Sequence, residues 1–91
     1  MAGEIIGKQL IRSATSVGAN YRSACRARSN ADFISKLGIV EEEADESLYW
    51  LELAVDAKLM NETEAAPLLK EADELTAIFT ASRKTARKNK I

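Results

Sequence analysis

The sequence predicts an all-α protein, and two observations support that fold class. Apolar residues recur at spacings of three and four over long segments, which is the pattern of a helix with one buried face. No run of β-branched residues alternates with polar ones, as a half-buried strand requires, and the 91 residues include only one Pro and four Gly. We therefore expect a single domain over residues 1–91, folded as an antiparallel up-and-down helical bundle.

Three long helices account for nearly the whole chain. We expect them at about residues 4–28, 31–58 and 61–87. Asn61 with Glu64 three residues later indicates a capping box at the start of the third helix, although Pro67 would allow a start as late as Ala66. The basic segment 83–91 is expected to fray at the end of that helix.

Each helix carries an apolar stripe that we expect to lie in the core. In the first helix the stripe comprises Ile6, Leu10, Ala14, Val17, Tyr21 and Ala24. In the second it comprises Ile34, Leu37, Val40, Ala44, Leu48, Leu51 and Val55. In the third it comprises Leu68, Leu69, Ala72, Leu75, Ile78 and Phe79.

The second helix also carries a further apolar group, which three helices cannot easily bury among themselves. It comprises Phe33, Ile39, Trp50 and Leu53. We expect this group to form an interface between copies of the chain, flanked by Glu43 and Glu46. Carboxylates beside apolar residues need partners, for which Arg12 and Lys36 are candidates. An all-carboxylate metal site is the weaker alternative, because bundle metal sites also use His.

Four bases of the first helix share one face about 27 Å long. They are Lys8, Arg12, Arg22 and Arg26. Such a row can follow a phosphate backbone and gain affinity by counterion release, or it can form ion pairs or stay solvated. The net charge of −1 hides +4 in residues 1–30, −7 in residues 31–62 and +2 in residues 63–91. RNA or DNA is therefore one candidate partner, and another copy of the chain is the other.

Small residues occupy the middle of the first helix. They include Ser13, Ser16, Gly18 and Ala19. A Gly inside a helix indicates either close packing of another helix or a kink. A phosphate-cradling loop is disfavoured, because no strand precedes the segment and no Gly-Lys-Ser/Thr follows it.

Composition argues against several functional classes. The chain has no His and one cysteine, Cys25, which excludes His-based catalysis, a zinc site and an internal disulfide. No nucleophile–base pair or cofactor loop is present, so we expect no enzymatic activity, no cofactor and no small-molecule substrate. Since no apolar stretch approaches ~20 residues, we expect a soluble, cytoplasmic protein with no membrane partner.

Three segments, Gln9–Asn20, Ala31–Lys36 and Glu43–Leu51, carry a family resemblance. They resemble the small bacterial four-helix-bundle proteins called 23S rRNA intervening-sequence proteins, over roughly residues 5–80. Distant relatives are the accessory variability proteins of diversity-generating retroelements, which work with a reverse transcriptase and nucleic acid. The resemblance implies a non-enzymatic homo-oligomer, typically a ring of five. It also implies a helix before Gln9, so that this chain is either a shortened three-helix member or begins downstream of the usual start.

Overall fold

The computed structural model describes residues 2–89, which form three helices and no strand. Helix α1 spans Ala2–Cys25, α2 spans Asn30–Asp56 and α3 spans Glu62–Lys88. The all-α prediction is confirmed, and every predicted helix boundary lies within three residues of the observed one. Most of the segment that we expected to fray continues α3 as far as Lys88, and its last two residues lie outside the described range.

A capping box fixes the start of α3. Asn61 Oδ1 accepts a hydrogen bond from the Glu64 N–H at 2.7 Å, and Glu64 Oε1 accepts one from the Asn61 N–H at 3.3 Å. These bonds satisfy amides that a helix start otherwise leaves without partners. The helix therefore begins at Glu62 and runs through Pro67, and the later start near Ala66 does not occur.

The two ends of α2 are fixed by different devices. At its start, Ser29 Oγ accepts a hydrogen bond from the Asp32 N–H at 3.1 Å. At its end, Lys58 takes a left-handed backbone conformation with a φ of 59°. The Leu59 N–H then bonds the Ala54 carbonyl at 2.9 Å, which is the Schellman pattern of helix termination. This turn ends α2 two residues before the predicted boundary.

Helix α2 is the central helix, and α1 and α3 each pack on it. Ser13 of α1 meets Ser47 of α2, with 2.8 Å between their hydroxyl oxygens. On the other side of α2, Asn30 Nδ2 donates to the Ala86 carbonyl of α3 at 3.1 Å. Within residues 2–89, no Cα of α1 lies within 8 Å of a Cα of α3. The Cα trace measures 48 × 21 × 13 Å, and its depth exceeds the ~4.6 Å width of one helix's Cα trace, so the three helix axes do not lie in one plane.

The middle helix supplies most of the core. Its buried apolar residues are Leu37, Val40, Ala44, Leu51 and Ala54. Val40 and Ala44 pack with Phe79 of α3, and Val17 of α1 packs against that cluster. The predicted stripe of α2 thus faces its neighbours as expected, because α1 and α3 cover two adjoining sides of it.

The expected core stripe of α3 is only partly covered. Phe79 is buried, and Leu69 and Ala72 are half-buried. The other three members, Leu68, Leu75 and Ile78, are 42%, 37% and 57% exposed. The reason is geometric: α1 reaches α3 through side chains such as Tyr21, whose ring centroid lies 5.6 Å from that of Phe79, while the two backbones stay apart. Part of the apolar side of α3 therefore has no helix of residues 2–89 against it.

Candidate nucleic-acid interface at the basic end

The predicted basic row of α1 is interrupted by an ion-pair network. Arg12 Nη1 lies 3.3 Å from Glu43 Oε2, and its Nη2 pairs with Glu46. Both carboxylates belong to α2, so Arg12 is exposed but already paired across two helices. The other three bases of the row are exposed and make no ion pair among residues 2–89: Lys8, Arg22 and Arg26. The row therefore divides into Lys8 near one end and two arginines near the other.

The Arg12 network also includes the indole of Trp50. Trp50 Nε1 donates a hydrogen bond to Glu46 Oε1 at 3.1 Å. The hydrogen bond from Arg12, and next the one from Trp50, lower the pKa of Glu46. The same pair raises the pKa of Arg12, chiefly through the hydrogen bond to Glu46. Lys36, the other candidate partner, instead pairs with Asp32 one turn away at 3.4 Å.

The predicted apolar interface residues do not all share one face. Ile39 is 41% exposed, and Trp50 and Leu53 are half-buried. Phe33 lies elsewhere, in a shallow groove against α3 that includes Ile78. At about 100° per residue, Phe33 and Trp50 lie about 100° apart around α2. Phe33 therefore faces α3, and Trp50 lies beside the Arg12 ion-pair network. Phe33 and Trp50 thus lie on different sides of α2, and the interface between copies of the chain stays a prediction.

The small residues of α1 also differ in their burial, since two are covered and two are exposed. Ser13 is fully buried, donates to the Leu10 carbonyl at 3.1 Å and accepts the bond from α2. Ser16 is half-buried and accepts a hydrogen bond from Asn20 Nδ2 at 3.0 Å. Gly18 and Ala19 are exposed, and a Cβ added at Gly18 would meet nothing within 4 Å. The predicted close packing occurs at Ser13, but inside this chain it does not extend to Gly18 and Ala19, because no helix covers that side of α1.

The fold brings together bases that are far apart in the sequence. The Asn30–Ala86 hydrogen bond holds the start of α2 against the last turns of α3, and α1 ends at the same place. Six exposed bases gather there without an ion pair among the described residues. We call this surface the basic end: Arg22, Arg26, Arg28, Lys84, Arg87 and Lys88.

Arg83 belongs to the same region but is already paired. Its Nε lies 2.6 Å from Glu41 Oε2, and its Nη2 lies 3.5 Å from Oε1 of the same carboxylate. The hydrogen bond from Arg83 lowers the pKa of Glu41, and the pair raises the pKa of Arg83. Arg83 thus links α3 to α2 at this end of the molecule.

The basic end was missed by reasoning along the sequence. The pattern of α1 identified Arg22 and Arg26, and the tail bases were visible only as a separate segment. Only the antiparallel order of three helices, together with two short connections, places both groups at one end. That signal was available in the predicted up-and-down order, which puts the end of the first helix beside the end of the third.

The opposite end of the molecule carries the reverse charge. There the start of α1 meets the turn between α2 and α3, and Leu59 packs 3.4 Å from the position of a Cβ on Gly3. We call this surface the acidic end, and its exposed carboxylates are Glu4, Glu52, Asp56, Glu62 and Glu64. Of the bases that the structure describes, Lys8 and Lys58 lie near them. The molecule is therefore polarised along its length.

These features define a small all-helical protein with a cationic surface at one end. Its sequence matches the family model of the 23S rRNA-intervening sequence protein over residues 4–81, and the chain belongs to that family. It is similar to the solved structure of a protein with unknown function, from the S23 ribosomal protein family, of Bacteroides thetaiotaomicron. That similarity has 38% identity and a TM-score of 0.85, over 88% of this chain and 74% of that one. No curated protein matches the chain. No helix within residues 2–89 is long and apolar enough to cross a membrane.

Proposed function

We propose that this chain is a non-enzymatic protein that binds nucleic acid through its basic end. The observation that carries the proposal is the cluster of six exposed Lys and Arg side chains, supplied by the ends of two helices and one connection. Lys and Arg that neutralise phosphates release counterions, which supplies affinity without reading a sequence. The proposal places the contact at this end rather than along the whole α1 row, because Arg12 is engaged with Glu43 and Glu46.

Phosphate contact predicts strong salt dependence and weak sequence preference. For six contacts to duplex, log K should fall with log salt at a slope of about −5, and somewhat less steeply for single strands. The test is a fluorescence anisotropy titration of this chain against a structured RNA hairpin and a DNA duplex of equal length, over a range of salt concentrations. Absence of binding to both probes at low salt would reject nucleic-acid binding.

Charge-removal variants locate the contact. We expect Arg22→Gln combined with Arg26→Gln and Arg87→Gln to reduce the slope by about 3 and to weaken binding at low salt at least tenfold. The matched control removes three exposed bases outside the basic end: Lys8→Gln, Lys58→Gln and Lys70→Gln. Equal losses in the two triple variants would show that net charge, and not the basic end, determines binding.

Self-association is the second part of the proposal, and a specific observation favours it. Ile39 is 41% exposed and Tyr49 beside Trp50 is 55% exposed, so apolar surface remains on the outer side of α2. The family resemblance leads us to propose a ring-like oligomer of five. Sedimentation equilibrium should then give about five times the 10.0 kDa chain mass. We expect Trp50→Ala to lower that mass, and a parent chain that stays monomeric would reject the ring.

A purely structural interaction module is the alternative function. It shares the self-association but requires no nucleic acid. An oligomer that binds neither nucleic-acid probe at low salt would favour this alternative, whereas salt-dependent binding that is lost in the basic-end variant favours the first proposal.

A further inference from the structure

Two rows of outward side chains, one on α1 and one on α2, have the same spacing and opposite charge. We call them the basic seam, which is Lys8, Thr15 and Arg22, and the acidic seam, which is Glu42, Tyr49 and Asp56. All six side chains are exposed, and the four charged ones make no ion pair among residues 2–89. Each seam thus has a charge at both ends and an uncharged residue in the middle.

Successive members of each seam are seven residues apart. A helix turns by about 700° over seven residues, so each member lies only about 20° around the helix from the previous one. At 1.5 Å per residue, both seams are about 21 Å long with the middle residue halfway along. Two helices that run in opposite directions and cross at about 20° can therefore place all three members of one seam beside all three members of the other.

The two seams of one chain cannot meet each other. Helices α1 and α2 pack through Ser13 and Ser47, whose hydroxyl oxygens lie 2.8 Å apart. Thr15 and Tyr49 are each two residues from one of these serines, and therefore lie about 160° away around their helices. The basic seam can contact an acidic seam only if that seam belongs to another copy of the chain.

Both seams also point away from the apolar sides of their helices. Val17 packs against the core cluster and Leu51 is buried. Thr15 and Tyr49 are two residues from them, and again lie about 160° away. A further helix that joins the bundle packs against apolar sides. The seams therefore stay on the outside of the bundle whether or not other residues precede the described ones.

In antiparallel order the seams are complementary at all three positions. Lys8 faces Asp56 at one end, and Arg22 faces Glu42 at the other, so opposite charges meet twice. In the middle, the phenol of Tyr49, which is 55% exposed, faces the short side chain of Thr15. A large aromatic ring gains most from burial where the facing side chain is small enough to admit it.

The position of Asp56 gives an independent reason to expect a cation there. Asp56 is the last residue of α2, where the partial charge of the helix dipole is negative and disfavours a carboxylate. The last turn of α2 contains no base. Lys8 of a neighbouring copy would interact favourably with both the carboxylate and the end of the helix.

We propose that copies of this chain join through these seams, with α1 of one copy antiparallel to α2 of the next. The partner is a second copy because one chain carries both halves of the match. The two surfaces differ, so the contact is heterologous, and each copy uses one seam toward each neighbour. This inference rests on the self-association part of the proposed function and names its contact surface. Arg22 then belongs to the contact, and the other five bases of the basic end remain for phosphate.

Charge reversal tests the basic seam, measured by sedimentation equilibrium of the whole chain. We expect Lys8→Glu with Arg22→Glu to raise the dissociation constant of the contact about 30-fold or more, because like charges then face each other at both ends. The sedimenting mass should fall toward the 10.0 kDa of one chain. The matched control is Lys70→Glu with Lys88→Glu, which changes the net charge equally at exposed positions of α3 and should keep the parent mass.

Reversal of the acidic seam should have the same effect, and reversal of both seams should cancel it. Glu42→Lys with Asp56→Lys again places like charges opposite each other. A chain with all four substitutions has opposite charges at both ends once more, and we expect it to regain the parent mass. Circular dichroism identifies any variant that loses its helices, so that a lost contact is distinguished from a lost fold.

A disulfide between copies tests which helices meet. Cys25→Ser removes the native thiol, and Thr15→Cys and Tyr49→Cys then place a single thiol in the middle of one seam, each in a separate chain. Oxidation of the mixture should link the two kinds of chain, because their facing Cβ atoms come within reach of a disulfide. Either chain oxidised alone should stay unlinked, since identical residues do not face each other in a heterologous contact.

The outcomes separate this inference from self-association in general. A parent chain that sediments as a monomer rejects both. A parent that assembles, with reversed-seam variants that keep its mass, rejects the seams alone. Loss of mass only in the acidic-seam variant rejects the part of α1 in the contact, and a fourfold variant that stays dissociated rejects the pairing. Rescue by the fourfold variant, together with a disulfide only in the mixture, supports the proposed contact.

Discussion

Lys58 holds a backbone conformation that lysine rarely adopts. Its φ of 59° lies in the left-handed region, where a Cβ clashes with the following carbonyl oxygen. Glycine usually occupies this position at the end of a helix, because it has no Cβ. The strain is tolerated because Leu59 completes the helix-terminating bond to Ala54 at 2.9 Å.

We expect Lys58→Gly to stabilise the protein by about 1 kcal/mol, since it removes this strain without removing a packed side chain. Urea unfolding at neutral pH measures the change. Lys58→Ala is the matched control, because it removes the same charge but keeps the Cβ. An equal gain from alanine would assign the effect to charge and not to the backbone.

Two interhelical carboxylates make stability depend on pH. The hydrogen bond from Arg12, followed by that from Trp50, lowers the pKa of Glu46, and Arg83 lowers the pKa of Glu41. In the unfolded chain a Glu titrates near 4.3. A folded pKa below that value contributes stability that is fully present above the unfolded pKa and is lost as the pH falls through the folded one.

We therefore expect the free energy of unfolding to be steady from about pH 7 to about pH 5 and to decrease in more acidic solution. The decrease should be shallower in Glu46→Gln and in Glu41→Gln, measured by urea unfolding across the acid range. Glu42→Gln is the control, because Glu42 is exposed and makes no ion pair among residues 2–89. Identical acid profiles for all three variants would contradict this account.

At the scale of elements, α3 depends on its first turn more than α2 does. It has a proline in its second turn and buries only Ala65 and Phe79, so packing contributes less to it. The reciprocal bonds between Asn61 and Glu64 compensate at the start of the helix. Pro67 itself lacks the N–H that would continue the ladder.

We expect Asn61→Ala to lower the free energy of unfolding by about 1 kcal/mol, the usual cost of losing a capping side chain. Thr63→Ala, at an exposed position in the same turn, should have a much smaller effect. Amide hydrogen exchange of the first turn of α3 gives an independent measurement. Unchanged protection in Asn61→Ala would show that the box does not hold the helix start.

The helices also show which features of the fold could be predicted from the sequence. Capping patterns predicted the starts of α2 and α3, because the bonds that make a cap connect residues three apart. The end of α2 was placed too late, because its terminating position holds Lys58 in place of a glycine. The exposure of Leu75 and Ile78 was not predictable, since periodicity identifies an apolar face but not the helix that covers it.

At the scale of the whole molecule, folding changes how the charges are distributed. In the sequence they differ from helix to helix, whereas in the structure they differ between the two ends of the molecule. The sequence predicted a basic first segment, an acidic second one and a mildly basic third one. Antiparallel packing then brings Arg26 and Arg87 together at one end and Asp56 and Glu62 at the other. Interhelical pairs such as Arg12 with Glu43 engage some of the exposed bases, so counts along the chain do not show which bases are unpaired.

The three helices of residues 2–89 place the two ends of the described chain far apart. The start of α1 lies beside the end of α2, and the end of α1 lies beside the end of α3. Ala2 and Asn89 therefore lie at opposite ends of the 48 Å length. A chain tethered to a surface through its amino terminus would present the basic end to solvent. A chain tethered through its carboxy terminus would place the basic end against the surface. Fusion partners attached at the two termini would likewise be separated by about the full length of the molecule.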